Sequence, residues 1–232
     1  MLPTAVLLVT LGCRATALVA EPAPTEPHGE PGHAPGHHGD HAFTDPAQYV
    51  PAWNAPDRDA WQKPEEIVAA LRLRPGDTVV DLGAGTGYLL PPLSAAVGPM
   101  GPVVALDIEP SMLVFLDEAR VKEGWTNVRT HAAAPDDPRL PAGGAQAIVT
   151  LNVWHHIEGR EAYAAKVAAA LAPGGAFVIV DFLKAETEGF GPPLAMRLTA
   201  EQIVAELTAG GLVAEIVPET MPRHYIVRGV RP

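Results

Sequence analysis

A single cysteine, Cys13, occurs in the 232 residues. No disulfide within the chain and no cysteine-rich zinc or iron–sulfur site can form. Basic residues are also scarce: 16 Lys and Arg stand against 27 Asp and Glu, for a net charge of −11. They are scattered rather than clustered, and an acidic surface repels phosphate backbones, so no nucleic-acid partner is expected. Long apolar runs are missing as well. The run AVLLVTLG, Ala5–Gly12, is too short to cross a bilayer as a helix. What is present is an apolar content of 47%, which marks a globular chain with a core rather than a disordered one.

The first forty residues differ from the rest. Residues 1–20 hold the short apolar run, which suits the core of a signal peptide. Three processing readings compete. TLGC, Thr10–Cys13, weakly resembles a bacterial lipobox in which Cys13 is lipidated and attaches the chain to a membrane. Ala15-Thr16-Ala17 offers small residues for ordinary cleavage. The third reading is that nothing is cleaved, and the lack of Lys or Arg before the run weakens both export readings. The expected location is therefore membrane-anchored or exported, and otherwise cytoplasmic. Residues 21–41, EPAPTEPHGEPGHAPGHHGDH, are a low-complexity linker with nothing to anchor a core. Its five histidines admit metal binding, but no rigid spacing fixes a coordination geometry, and a solvated tether is the simpler reading. No defined metal site is expected.

Residues 42–232 read as one domain. Asp57–Leu73 reads as one or two helices, with Pro64 suited to a first turn. Strand and helix patterns then alternate. Strands are expected at Thr78–Leu82, Val103–Asp107, Val128–Ala132, Ala147–Leu151 and Ala176–Asp181. Helices are expected at Thr86–Val97, Pro110–Glu123, Gly159–Leu171 and Ala200–Ala209. Two strands close the chain near Val213–Val217 and Tyr225–Val230. Apolar strands alternating with helices specify an α/β fold, a Rossmann-like parallel sheet covered on both faces.

The stretch VVDLGAGTGYL, Val79–Leu89, places a glycine loop at the carboxyl end of the first strand, where open α/β sheets bind ligands. A dinucleotide fingerprint needs glycine where Tyr88 stands, and no Lys-Ser/Thr pair follows the loop, so a phosphate-gripping P-loop is excluded too. Asp107, ending the second strand, can accept hydrogen bonds from ribose hydroxyls. Asp81 stands just before the glycines, separated from Gly83 by Leu82. A carboxylate there repels a diphosphate and suits a nucleoside that carries positive charge, which describes S-adenosylmethionine. An NAD(P) oxidoreductase is disfavoured by Tyr88 and Asp81 together.

VVDLGAGTGYL, VVALDIEPSML, AIVTLNVWHHI and LAPGGAFVIVDF, in this order, resemble the successive motifs of class I S-adenosylmethionine-dependent methyltransferases, over about Trp61–Val230. The nearest flavour is the group that includes quinone-biosynthesis and small-molecule methyltransferases. The resemblance implies a seven-stranded, mostly parallel sheet with its last strand antiparallel, and S-adenosylmethionine as cofactor. It implies that Asp81, Gly83, Gly85 and Gly87 line the methionine end, that Asp107 holds the ribose and that Ile108 packs on the adenine. Asn152 would lie near the sulfonium. The family's adenine-contacting Asp has no clean counterpart in HAAAPDDPRLP; Asp136 is the stand-in and Asp137 its rival.

Methyl transfer to an acidic acceptor needs a base, for which His155 and His156 after the fourth strand are weak candidates beside a purely local packing role. Trp154 and Tyr88 fit either a pocket wall or the core. Two segments outside the core strands, Ala42–Gln62 and Leu183–Leu198, are where the acceptor would be chosen and could form a lid. The leading expectation is a methyltransferase of small molecules. The alternative is a membrane-tethered or exported non-catalytic binding protein on the same fold. The sequence does not define an oligomeric state.

Overall fold

A computed structural model describes residue 43, residues 45–187 and residues 189–232. The apolar N-terminal run, Cys13 and the His-rich tract lie outside the described residues.

Seven strands form one sheet in the order β3-β2-β1-β4-β5-β7-β6. They are β1 (Val79–Leu82), β2 (Val103–Asp107), β3 (Val128–Ala132), β4 (Ala145–Leu151), β5 (Leu171–Phe182), β6 (Val213–Val217) and β7 (His224–Val230). The first five run parallel, and β7 runs antiparallel to both β5 and β6. This is the expected seven-stranded architecture. The helices are α1 (Val50–Trp53), α2 (Arg58–Gln62), α3 (Pro64–Leu71), α4 (Leu90–Val97), α5 (Pro110–Lys122), α6 (Arg160–Ala170) and α7 (Ala200–Ala209).

The strand residues alternate between two cores, as a two-residue side-chain period requires. Val80, Leu82, Val104, Leu106, Ile148, Phe177 and Ile179 join Val167 of α6 and Ile203 and Leu207 of α7 on one face. Val79, Val103, Ala105, Ala147, Val149, Val178 and Val180 join Ile67 of α3, Leu90 and Leu93 of α4 and Leu116 of α5 on the other. Each central strand is thus apolar on both sides, which is why no polar alternation marks it in the sequence.

Several element boundaries differ from the sequence reading; the strand expected from Ala176 already begins at Leu171, for example. The helix expected from Thr86 begins at Leu90, with prolines in its first turn. Gly85 and Gly87 hold left-handed backbone angles (φ of 52° and 83°), which prolong the loop. The Asp57–Leu73 region forms two helices, within the one or two expected, divided at Lys63, itself left-handed (φ 46°), with Pro64 opening α3.

The chain passes from β1 outward to β2 and β3, then returns to place β4 on the other side of β1. The carboxyl ends of β1 and β4 therefore flank the point where the strand order reverses, the natural crevice of an open parallel sheet.

Candidate functional site

A cavity of about 280 Å³ opens at that crevice. The glycine loop forms its floor. Gly83 donates its backbone N–H to Leu106 O at 2.8 Å, tying the loop to β2. Its φ is +78°, and a Cβ there would lie 2.5 Å from the Val153 side chain, so glycine is required on two grounds. Asp81, Gly83, Gly85, Asp107, Ile108 and Asn152 all line the cavity. Gly87 does not. It turns away from the cavity, where a Cβ would meet Leu90 and Leu116 of the core at 3.0 Å.

Asp81 shares strand parity with Val79, and Asp107 with Val103 and Ala105, so both acids project toward the same face. Asp107 accepts the backbone N–H of Gly85 at 2.9 Å and of Glu109 at 3.0 Å. Two oxygens carry about four acceptor positions, so further donors can be taken. Burial raises its affinity for a proton, and the N–H groups of Glu109, Gly85 and Ile108 oppose that rise. Asp81 is 3% exposed. Burial, with the Asp107 charge adding and Arg58 opposing, pushes its carboxyl up to about 7. A second cation beside Asp81 would reverse this shift, because an opposite charge favours the ionised form.

The neighbouring residues expected to act separate sharply. Asp136 and Asp137 lie outside the cavity. The Asp136 side chain is 85% exposed, near Lys166, which also approaches Asp137. Ala134 donates to Asp137 O at 2.8 Å and closes a tight turn whose tip carries Asp136 outward. Ala134 and Pro135 line the cavity instead, so the structure brings apolar residues, and neither Asp136 nor Asp137, to the cavity wall at this position. His155 is buried rather than in the cavity. Its Nδ1 lies 2.8 and 3.0 Å from the two oxygens of Asp181, which also accepts the N–H of Phe182. His156 lines the cavity, with its ring 4.1 Å from that of His155. Trp154 is core, its indole N–H donating to Glu206 Oε2 at 2.8 Å. Tyr88 is wall, its hydroxyl donating to Asp59 Oδ1 at 2.7 Å.

Asn152 holds a left-handed backbone (φ 61°) at the end of β4. Its Oδ1 lies 2.9 Å from Nε2 of His224, which therefore donates. His224 is fully buried, and burial pushes its imidazole down to about 3, with Arg58, Arg223 and Arg197 adding and Asp181 opposing. The ring is therefore a neutral strut that orients the Asn152 amide.

The opposite side of the cavity comes from outside the core strands. Trp53 of α1, Arg58 and Trp61 of α2, Phe182 ending β5, and Phe190 and Gly191 of the following loop all line it. Arg197 shapes that loop. Its guanidinium donates to the carbonyls of Pro192, Leu183, Ala185 and Phe190 and to Thr187 Oγ1, at 2.6 to 3.1 Å. Sequence reasoning located these two segments but not their individual residues. The hydrogen-bonding web of Arg197 leaves no local sequence signature.

Residues 57–209 match the family model of a methyltransferase domain. Nocamycin O-methyltransferase of Saccharothrix syringae is 29% identical over 163 residues, covering 68% of this chain and 54% of the relative. The ubiquinone/menaquinone biosynthesis C-methyltransferase UbiE of Shewanella pealeana is 32% identical over 116 residues, 50% of this chain and 46% of the relative. The chain thus spans about half the length of the curated relatives it matches. A SAM-dependent methyltransferase from Aquifex aeolicus superposes with a TM-score of 0.74 at 25% identity, over 81% of this chain and 99% of that one. The family match extends from the residue before α2 to the end of α7 and takes in the glycine loop, both cavity acids and Asn152. The chain belongs to the methyltransferase-domain family.

Proposed function

We propose that this protein is an S-adenosylmethionine-dependent methyltransferase acting on a small-molecule acceptor. The observation that carries this reading is the pair of buried acids, Asp81 and Asp107, beside a glycine loop that no Lys-Ser/Thr pair follows. That set fits a cationic nucleoside and disfavours a diphosphate. Asp107 would take the ribose hydroxyls, Asp81 would face the positively charged amino-acid end, and Ile108 and Pro135 would pack against the base. When bound, the cofactor supplies a methyl group already activated on a cationic sulfur. The protein then has to align the acceptor and exclude water. Asn152, fixed by His224, would orient polar atoms near the reacting centre. His156 is the cavity-facing group able to receive a proton from an acidic acceptor. His155, held by Asp181, would position the His156 ring rather than touch the acceptor.

The names of the relatives, an O-methyltransferase and a quinone C-methyltransferase, support a small organic acceptor. Calorimetric titration of the full chain with S-adenosylmethionine and its demethylated product tests the reading. Saturable binding of both, abolished by Asp107→Ala, is expected. Absence of binding to the wild-type chain would overturn it.

A further inference from the structure

The turn that follows β3 brings apolar residues to the cavity and no hydrogen-bond donor with them. Ala133 donates its backbone N–H to Asp107 O at 3.0 Å, and Ala134 donates to Asp137 O at 2.8 Å. Pro135, the next residue, has no N–H. Asp136 and Asp137 lie outside the cavity. A purine edge placed against this turn therefore finds neither the acid that the family resemblance implies nor an amide from these residues.

A polar side chain reaches the same place from another element. Lys166 of α6 donates to Asp136 O at 2.6 Å and docks that helix against the turn. Tyr163 stands one helical turn earlier on the same face of α6, and it lines the cavity. Its ring is held edge-to-face by Trp154, with centroids 6.2 Å apart and planes at 79°. Only 3% of the residue is exposed, yet its hydroxyl makes no hydrogen bond among the described residues. Burial first, then the charges of Asp137 and Asp136, push its ionisation up to about 12. The hydroxyl therefore lies within reach of the turn's acids and keeps its proton in the neutral range. A buried hydroxyl without a partner is destabilising, so a ligand that satisfies it gains affinity.

A carboxylate at this place could only accept, whereas a phenol both accepts and donates. We propose that Tyr163 reads the six-position of the cofactor's purine, its oxygen accepting from an amino group and its proton donated to an oxo group where one is present. The inference rests on the S-adenosylmethionine reading of the cavity and deepens it. The base is read by a phenol on α6 in place of an acid after β3, so the site takes 6-amino and 6-oxo purines alike.

Calorimetric titrations of the full chain with S-adenosylhomocysteine, its 6-oxo (inosine) analogue and its 6-unsubstituted purine analogue test this. The wild type is expected to bind the first two within about tenfold of each other, because one hydroxyl serves both. Tyr163→Phe keeps the ring and its packing. It should weaken both by about three- to tenfold, the worth of one neutral hydrogen bond, and weaken the unsubstituted purine by less than about twofold. A purely structural role for the ring would cost all three ligands equally. Equal loss, no loss for any ligand, or a 6-oxo analogue bound by the wild type more than about tenfold more weakly than S-adenosylhomocysteine would each overturn the proposal. The wild-type comparison needs no variant, so it decides even where Tyr163→Phe fails to fold. Failure of S-adenosylhomocysteine itself to bind would overturn the methyl-transfer reading and this inference with it, whereas each of the other contrary results leaves that reading standing.

Discussion

Asp81 and Asp107 reach the cavity from the ends of adjacent strands, whereas Arg58, Trp61 and Phe190 reach it from a five-residue helix and a loop. The acids are placed by backbone pairing. Val79, Val80, Asp81 and Leu82 register with Val103 to Leu106, and that ladder is buried on both faces. The aromatic side is placed by side chains. Arg197 gathers the loop, and Asn54 and Asp59 bond to Thr86 and Tyr88 to fasten the N-terminal segment over the glycines. A ligand site that a whole family shares belongs on the first kind of support, and a site that varies with the acceptor belongs on the second.

Substitutions should separate the two halves. The largest effect is expected for Asp107→Ala, which would remove the proposed charged acceptor of the two ribose hydroxyls. A loss of about 100-fold in cofactor affinity follows from two such bonds, measured by calorimetry, while binding of an aromatic probe such as 4-nitrotoluene on the aromatic side persists. Arg197→Met should do the reverse. It strands several loop carbonyls and should cost about 2 kcal/mol of stability in chemical denaturation, weaken acceptor-side probes and leave cofactor affinity within about twofold. If both ligands weaken together, the halves are not independent.

Asp81→Asn should give opposed effects. Burial first, then Asp107, lifts the carboxyl from 3.8 to about 7 in the folded protein. The folded state therefore holds this proton more tightly than the unfolded chain, and stability falls as pH rises from about 4 to about 7, then levels. The amide should stabilise the cofactor-free protein above pH 7 by up to about 4 kcal/mol, a gain that fades toward pH 4. It should also weaken cofactor binding. In the wild type that binding should fall as pH drops below about 7, because the cation needs the ionised carboxylate. The smallest effect is expected for the histidine pair. His156→Gln should change the melting free energy by less than about 0.5 kcal/mol, and His155→Gln by about 1–2 kcal/mol, since only His155 is buried against a carboxylate.

The acids were legible because strand parity and the loop spacing constrain them locally. Tyr88 in a glycine position and Asp81 before the loop were enough to argue against phosphate. The loop spacing does not separate Gly87 from the cavity-lining glycines: its left-handed backbone serves the turn, and its missing side chain makes room for Leu90 and Leu116 of the core. The outward placement of Asp136 was not legible, because it follows from a bridge between Ala134 and Asp137 that has no sequence pattern of its own. His155 and His156 are adjacent and equivalent in sequence. Only Asp181, twenty-six positions away, separates them by claiming the first. The contact of Arg223 with Phe190 was the least legible feature, since the two meet only once the loop has folded.

The central claim is that the acid half of the cavity selects a cationic nucleoside over a phosphorylated one. Parallel calorimetric titrations of the full chain with S-adenosylmethionine and with NAD test it most directly. Saturable heat with S-adenosylmethionine and none with NAD is the predicted result. Saturable NAD binding, or equal indifference to both, would contradict it.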